Sequence, residues 1–272
     1  MARSTGDGRT ALVTGGSRGI GRGIALSLAH EGYTLAITHY GDDGPAASTA
    51  EEVRLASGKD CFVLPGDLRV LGIVEATVQA AIEVMGRIDV LVNNAGISLF
   101  DPVDELSVER LDDTIFLNFR APLLLMRNVS RHMIRLGIRG SIVNITSSRA
   151  ERAYPRDAVY GGLKAGLKRA SESAAMDLAP YGIRVNCLAP GAILVRERTP
   201  RHDKLGEAIP LGRMGLPDDI GRAAAWLVSD AASYVTGTTL RVDGGLIVPG
   251  MPEDGVSYWG AHQSNKRRDQ EP

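Results

Sequence analysis

Seven short, mostly apolar runs recur along the chain, separated by longer stretches with a helical repeat. The runs are TALVT (10–14), TLAIT (34–38), CFVLP (61–65), IDVLV (88–92), SIVNIT (141–146), IRVNCL (183–188) and TLRV (239–242). Their apolar residues are largely contiguous rather than strictly alternating, as expected of strands covered on both faces. The stretches between them predict helices at 19–32, 46–57, 70–85, 107–136, 158–179 and 217–229. The first places Ile20, Ile24, Leu28 and Ala29 on one face, and the second turns Glu51, Glu52 and Arg54 outward. Pro122 lies inside the long 107–136 stretch, and an interruption is expected near it.

Strands that alternate with helices build right-handed βαβ units. The expected fold class is therefore α/β, a mainly parallel sheet with helices on both faces. No domain break, internal repeat or low-complexity tract divides the chain. Residues 1–9 are polar and read as a loose arm. Residues 246–272 read as a tail ending in NKRRDQEP, a disorder-prone composition. Residues 192–215 are rich in Arg, Pro and Gly, lack a period and follow a strand end, which suggests a mobile lid over a site.

Composition narrows the function classes. With 272 residues and a net charge of −1, the chain offers no electrostatic case for binding nucleic acid or an anionic membrane. No run approaches the roughly 18 apolar residues of a membrane span, and the first residues lack the apolar core of a signal peptide. Cys61 and Cys187 sit in apolar strand-like runs and read as buried free thiols of a reducing compartment. A soluble cytoplasmic protein is expected.

Two motifs carry chemistry. The first predicted strand runs into Thr14-Gly15-Gly16-Ser17-Arg18-Gly19-Ile20-Gly21. Glycines there permit a tight turn and let backbone N–H groups approach a diphosphate, and the helix N-terminus behind them favours negative charge. The spacing, G-x-x-x-G-x-G, differs from the G-x-G-x-x-G fingerprint. The second motif spans 147–164, SSRAERAYPRDAVYGGLK. Tyr160 and Lys164 are four apart, so a helix places them on one face. A tyrosine ordinarily titrates near ~10 and is a poor acid or base at neutral pH, but an ammonium beside it favours the phenolate. Ser147, thirteen residues before Tyr160 at a predicted strand end, would donate to the same substrate oxygen. Asn93-Asn94-Ala95-Gly96 closes the fourth predicted strand, where Asn93 reads as a tie between strands.

Taken together and in order, these motifs resemble the short-chain dehydrogenase/reductase family over about 10–245. The matches are T-G-x-x-x-G-x-G at 14–21, Asp67 in GDL, NNAG at 93–96, Asn118, Ser147, Y-x-x-x-K at 160–164 and the Pro190-Gly191 pair. The resemblance implies a single Rossmann-type doubly wound sheet of about seven strands, an NAD or NADP cofactor, and a homotetramer or homodimer. It implies Tyr160 as general acid/base, Ser147 as the group that orients and stabilises the substrate oxygen, and Lys164 as the partner of the nicotinamide ribose. Asn118 would hold a proton-relay water. The cofactor would meet Gly15, Ser17, Arg18, Gly19, Ile20 and Gly21. Asp67 and Leu68 would meet the adenine, and Asn94, Ala95 and Gly96 would lie along the adenosine half. Tyr160, Lys164, Pro190, Gly191 and Ile193 would complete the nicotinamide end. No metal is implied.

Two positions depart from the family pattern: Leu163 stands where a serine commonly precedes the lysine, and Val195 where a threonine commonly follows the Pro-Gly turn. The second predicted strand ends in Thr38-His39-Tyr40-Gly41, without an acid placed for a ribose 2′-hydroxyl, while Arg18 could face a 2′-phosphate. NADP is the expected cofactor, with NAD as the alternative. Arg149, Arg152 and Arg156 lie between Ser147 and Tyr160, and Arg196, Arg198, Arg201, His202 and Lys204 lie in the lid. They form either a basic rim for an anionic substrate or ion pairs with Glu151, Asp157, Glu197 and Asp203. The expected activity is interconversion of a secondary alcohol and a ketone. A sugar, polyol or other polar carbonyl compound is the first substrate class, and a 3-oxoacyl group on a carrier protein is the second. A non-catalytic dinucleotide sensor or scaffold is the alternative of another kind.

Overall fold

The structure, a computed structural model, describes residues 6 and 8–249. Each of the seven apolar runs forms a strand: β1 (Thr10–Val13), β2 (Thr34–His39), β3 (Cys61–Pro65), β4 (Val90–Asn93), β5 (Ser141–Ile145), β6 (Arg184–Pro190) and β7 (Thr239–Val242). They pair in the order β3-β2-β1-β4-β5-β6-β7, and every pairing is parallel. All carboxyl ends therefore lie along one edge. The order reverses between β1 and β4, and the crevice at such a reversal is where open α/β sheets bind ligands.

The helices are α1 (Gly19–His30), α2 (Gly44–Ser57), α3 (Leu71–Met85), α4 (Val108–Ile115), α5 (Ala121–Leu136), α6 (Ala158–Leu178), α7 (Pro200–Glu207) and α8 (Pro217–Val228). Two apolar layers cover the sheet. On one face Ala11, Val13, Leu35, Ile37, Val90 and Val92 pack under α1, α2 and α8. On the other, Leu12, Ala36, Leu91 and Ile142 pack under α3, α5 and α6. Successive residues of the inner strands alternate between these layers, so both faces of those strands must be apolar, which is why their runs are contiguous; edge strand β7 instead alternates, with Arg241 exposed.

Two features differ from the sequence pattern. The 107–136 stretch does not break at Pro122; it widens just before it into a π-helical turn at Phe116–Arg120, where Ala121 N–H reaches the Phe116 carbonyl five residues back. Pro122 has no N–H to give to the carbonyl of Asn118, and its ring crowds that carbonyl; the wider turn accommodates both defects while the helix continues. The second difference is α7, which lies inside the 192–215 excursion. Its eight residues, PRHDKLGE, carry no apolar stripe. Thr199 caps its start with His202 in a reciprocal capping box, and Pro200 follows in the first turn. The ends of the excursion are tied together, since Leu194 N–H donates to the Gly215 carbonyl at 2.9 Å and Gly215 N–H to the Ala192 carbonyl at 3.0 Å.

Cys187 is buried, as expected, but Cys61 on the edge strand is only partly covered; both are free thiols. Burial pushes the Cys61 thiol up to about 12 and raises that of Cys187. Arg9, in the expected arm, is fixed by both its bonds to Asp230, at 2.9 and 2.8 Å. Of the tail, residues 250–272, with Tyr258 and Trp259, lie outside the described residues. No helix among the described residues is long and apolar enough to cross a membrane.

Helices α1 and α8 meet through Gly23 and Gly221. A Cβ on Gly221 would fall 2.2 Å from Ser27 Oγ and 2.4 Å from the Gly23 carbonyl. Gly221→Ala is therefore expected to force these helices apart and to destabilise the chain by about 1–3 kcal/mol, measured as a lower urea midpoint with an unchanged m-value.

Candidate active site

The glycine turn lies between the end of β1 and the start of α1. Gly15 N–H donates to Thr38 Oγ1 at 3.0 Å and Gly16 N–H to the Thr38 carbonyl at 3.0 Å, which pins the turn to β2. Asn94 holds it from the other side, its Nδ2 donating to the carbonyls of Thr14 (2.9 Å) and Gly15 (3.0 Å). Thr14 Oγ1 accepts from the N–H groups of Asn94 and Ala95, both at 3.0 Å. Gly15 and Gly19 have φ values of 62° and 54°, a region costly for other residues. Arg18, exposed at the cap of α1, provides no side-chain cap. Among the described residues, the N–H groups of Ser17, Arg18, Gly19, Ile20 and Gly21 find no acceptor. They stand at the positive end of a twelve-residue helix.

The residues expected to transfer the proton gather at the ends of β4 and β5. Ser147 follows β5 and is buried, and its Oγ accepts Arg149 N–H at 3.2 Å. Tyr160 sits in the first turn of α6, and Lys164 follows one turn later. Lys164 Nζ lies 5.8 Å from the centre of the Tyr160 ring and donates to the Ile145 carbonyl at 2.8 Å. Burial holds its amine down at about 8. The Tyr160 phenol is pushed up rather than down. Burial is the largest cause, opposed by hydrogen bonding with Ser147, reinforced by the charge of Asp157, and opposed again by the charge of Arg149 and by Ser98. This reverses the expectation that the ammonium would dominate: Lys164 donates to the main chain of β5, and enclosure disfavours the phenolate more than neighbouring groups favour it.

Asn118 lies in the π-helical turn and is fully buried. Its amide bonds Ile97 in both directions, Nδ2 to the carbonyl at 2.6 Å and Oδ1 from the N–H at 2.9 Å. Gly96 is flanked by this amide and Lys164; a Cβ there would fall 2.8 Å from Asn118 Oδ1 and 3.7 Å from Lys164 Nζ. Asn93 donates to Asn144 Oδ1 at 2.7 Å, tying β4 to β5. Pro190 ends β6, Gly191 N–H donates to the Val242 carbonyl at 3.1 Å, and Ile193 bridges to Gly215.

Other residues fall differently from a simple reading. Leu68 is buried in the second apolar layer. The Asp67 carboxylate is held by Arg69, whose Nη2 lies 2.7 Å from Oδ2, and these bonds keep it below its ordinary range. Arg69 also reaches Asp113 at 2.5 Å and lies 5.3 Å over the Tyr40 ring. Nothing in the spacing around GDLR marks this arginine as a hub. Of the basic rim, Arg149 pairs with Asp157 at 3.0 Å and Arg198 with Asp203 at 2.5 Å. Arg152 donates to the Pro249 carbonyl and Arg156 to the Phe100 carbonyl. Glu151 pairs instead with Lys168 and Arg241. No cluster among the described residues has the side chains to hold a metal ion.

The row of unpaired N–H groups at a helix start suits a diphosphate, and the exposed arginine beside it adds positive charge. A buried serine and lysine, with a half-buried tyrosine, lie by the carboxyl end of β5. This fold and site define a nicotinamide-dependent oxidoreductase acting on an alcohol or ketone. The family model described as enoyl-(acyl carrier protein) reductase, adh_short_C2, matches residues 15–247. The 3-oxoacyl-(acyl-carrier-protein) reductase of Staphylococcus aureus is 38% identical over 242 residues, covering 88% of this chain and 98% of the relative. L-rhamnose 1-dehydrogenase (NAD(P)(+)) of a Sphingomonas species is 35% identical over 248 residues, with coverage of 89% and 97%. Among solved structures, a blue fluorescent protein from a metagenomic library in complex with NADPH superposes with a TM-score of 0.82 at 33% identity, over 89% of this chain and 98% of that one. The chain belongs to the short-chain dehydrogenase/reductase family, and it is an NAD(P)-dependent oxidoreductase that interconverts secondary alcohols and ketones.

Lys164 gives a pH test of this geometry. Its amine is lowered to about 8 in the fold, against about 10.4 in an unfolded chain. Between those values the unfolded state binds more protons, so stability rises with pH through the window, and the full penalty is present below it. Lys164→Met should therefore raise stability at neutral pH by on the order of 2 kcal/mol, less what the lost Ile145 bond contributes. In paired denaturant titrations, the gap between wild type and variant should narrow as pH rises from about 8 towards about 10.

Proposed function

We propose that the enzyme uses NADP to interconvert a polar secondary alcohol, of the sugar or polyol class, and its ketone. The observation that carries the chemistry is the convergence of Ser147, Tyr160 and Lys164 at the ends of β5 and α6, beside an anion-receptive glycine turn. Gly15, Ser17, Arg18, Gly19, Ile20 and Gly21 would hold the diphosphate. Asp67, Leu68, Asn94, Ala95 and Gly96 would hold the adenosine half, and Lys164, Pro190, Gly191 and Ile193 the nicotinamide half. A bound nicotinamide supplies or accepts the hydride. Tyr160 moves the proton on the substrate oxygen and Ser147 donates a hydrogen bond to that oxygen. Lys164 supplies positive charge one turn away, and Asn118, in the widened turn beside Gly96, holds the water that carries the proton onward.

Preference for NADP is supported by the exposed Arg18 and by a β2 end without an acid in line; Asp43 sits beside His39 at 3.4 Å instead. It is supported too by the relative solved with NADPH. A polar substrate is supported by α7, whose sequence in the lid offers donors rather than aliphatic surface, and by the L-rhamnose dehydrogenase relative. A second reading, an acyl group delivered by an acidic carrier protein, is favoured by Arg196, Arg201 and Lys204, which have no ion pair among the described residues, and by the acyl-carrier-protein reductase relative. Residues 192–215 serve as the lid. Exposed Met176 on α6 and Val108 on α4 suit burial in a homodimer or homotetramer, and free thiols suit the cytoplasm.

A panel of sugars, polyols, ketones and acyl thioesters with NAD(H) and NADP(H), followed by absorbance of the reduced nicotinamide, tests the reading. Turnover of polyols or sugars with NADP is expected, and turnover restricted to acyl-carrier thioesters supports the second reading instead. Tyr160→Phe should lower kcat by about 10²-fold or more while the cofactor Kd stays within about twofold. Arg18→Ala should raise the KM for NADP by about tenfold, the size of one lost charge-assisted contact, and change that for NAD little.

A further inference from the structure

Arg149 follows Ser147 by two residues, and its side chain reaches the cap of the helix that carries Tyr160. Its N–H donates to Ser147 Oγ at 3.2 Å, and its Nη1 donates to Asp157 Oδ2 at 3.0 Å. The guanidinium carbon lies 4.7 Å from the centre of the Phe100 ring and 4.4 Å from that of Tyr154. The Asp157 side chain is only 2% exposed. Its other oxygen accepts Gly161 N–H at 3.2 Å and so caps the helix that carries Tyr160. Phe100 meets the Tyr160 ring edge-on, with centroids 5.7 Å apart and planes at 73°. Gly161 leaves room for the arrangement: a Cβ there would fall 3.0 Å from both the Arg149 carbonyl and Asp157 Oδ2. Arg156, at a left-handed φ of 64°, holds the Phe100 carbonyl at 3.2 Å from the other side.

A planar guanidinium stacked on two rings and paired with a buried carboxylate has little freedom. It joins the turn that carries Ser147, the cap of the helix that carries Tyr160, and the ring packed on that tyrosine. Such a cation is already engaged and is poorly placed to receive a substrate anion. It also offsets a charge. Tyr160 faces Asp157 and Lys164 from its own helix, Ser147 and Arg149 from the turn after β5, and Ser98 and Phe100 from the loop after β4. Of these, Asp157 is the acidic group, and its charge opposes a phenolate.

We propose that Arg149 is a positioning residue: stacked on Phe100 and Tyr154 and paired with Asp157, it fixes Tyr160 against Ser147 and neutralises the carboxylate beside them. The inference rests on the assignment of Tyr160 as the proton-transfer group. Arg149→Met, Arg149→Lys and the double variant Arg149→Met/Asp157→Asn test it. The readouts are kcat and KM across pH, the cofactor Kd, and the phenolate titration of Tyr160. That titration is the ultraviolet difference between each chain and its Tyr160→Phe counterpart, and it needs neither cofactor nor substrate.

Arg149→Met should lower kcat by about tenfold or more, as misplacement of a reacting group does, with the cofactor Kd unchanged. Its phenolate midpoint should move upward by roughly half a unit or more, because Asp157 is left uncompensated. Arg149→Lys should restore the midpoint but not kcat, and the double variant should likewise bring the midpoint back without restoring kcat. Unchanged kcat and midpoint in Arg149→Met would overturn the proposal. So would a raised substrate KM with kcat and midpoint unchanged, which would make Arg149 a substrate-binding cation. If Arg149→Met fails to fold, Arg149→Lys decides, since full kcat in that variant contradicts a positioning role. A wild-type chain that turns over no alcohol or ketone fails the functional reading alone, because the phenolate titration still reports whether Arg149 acts on Tyr160.

Discussion

The Lys164 ammonium, buried on α6, donates to the carbonyl of Ile145 at the end of β5, 2.8 Å away. No carboxylate pairs with it among the described residues. A buried cation without a counter-charge is unfavourable, and its amine is lowered to about 8 accordingly. What that bond accomplishes is registration. Ile145 lies two residues before Ser147, and Lys164 lies one turn after Tyr160. That contact between strand end and helix contributes, with the Arg149–Asp157 pair, to where both hydroxyls stand.

The second constraint is directional. Because all seven strands are parallel, their carboxyl ends share one edge, and residues far apart in the chain meet there. Thr14 and Asn94 lock the glycine turn to the end of β4, while Asn93 and Asn144 lock β4 to β5. The start of α1 and the residues of α6 proposed for proton transfer are thereby held by side-chain bonds across neighbouring strand ends. The 192–215 segment is tied to this edge as well: Val195 approaches Gly19, and a Cβ there would lie 3.3 Å from the valine.

Much of this was legible from the order of residues, for physical reasons. A strand covered on both faces has to be apolar nearly throughout, so β1, β2 and β5 announce themselves. The β4 and β6 boundaries moved by up to two residues; Ile88 and Ile183 are buried like strand residues, but the Ile88 N–H goes to His132 Nε2 and the Ile183 N–H to the Leu178 carbonyl rather than to a neighbouring strand. Helix α7 escaped because it presents no apolar face, although Thr199-Pro200 marks its start. Pro122 signalled a defect but not its kind; whether a proline breaks, kinks or widens a helix depends on what packs around it. The chemistry of Tyr160 was the least legible part. Spacing shows the lysine one turn away, but the enclosure of the ring and the Arg149–Asp157 pair arise where the loop after β4 meets the segment between β5 and α6.

On the proposed reading, this edge of the sheet passes a hydride between a nicotinamide and the carbon of an alcohol or ketone, with Tyr160 handling the proton. The most direct measurement uses NADPH carrying deuterium at the nicotinamide C4 position, a ketone substrate, and mass spectrometry of the alcohol formed. On that reading, deuterium on the carbinol carbon and a hydroxyl proton drawn from solvent are expected. Alcohol formed without deuterium at that carbon, after turnover with fully labelled cofactor of either C4 face, would contradict it.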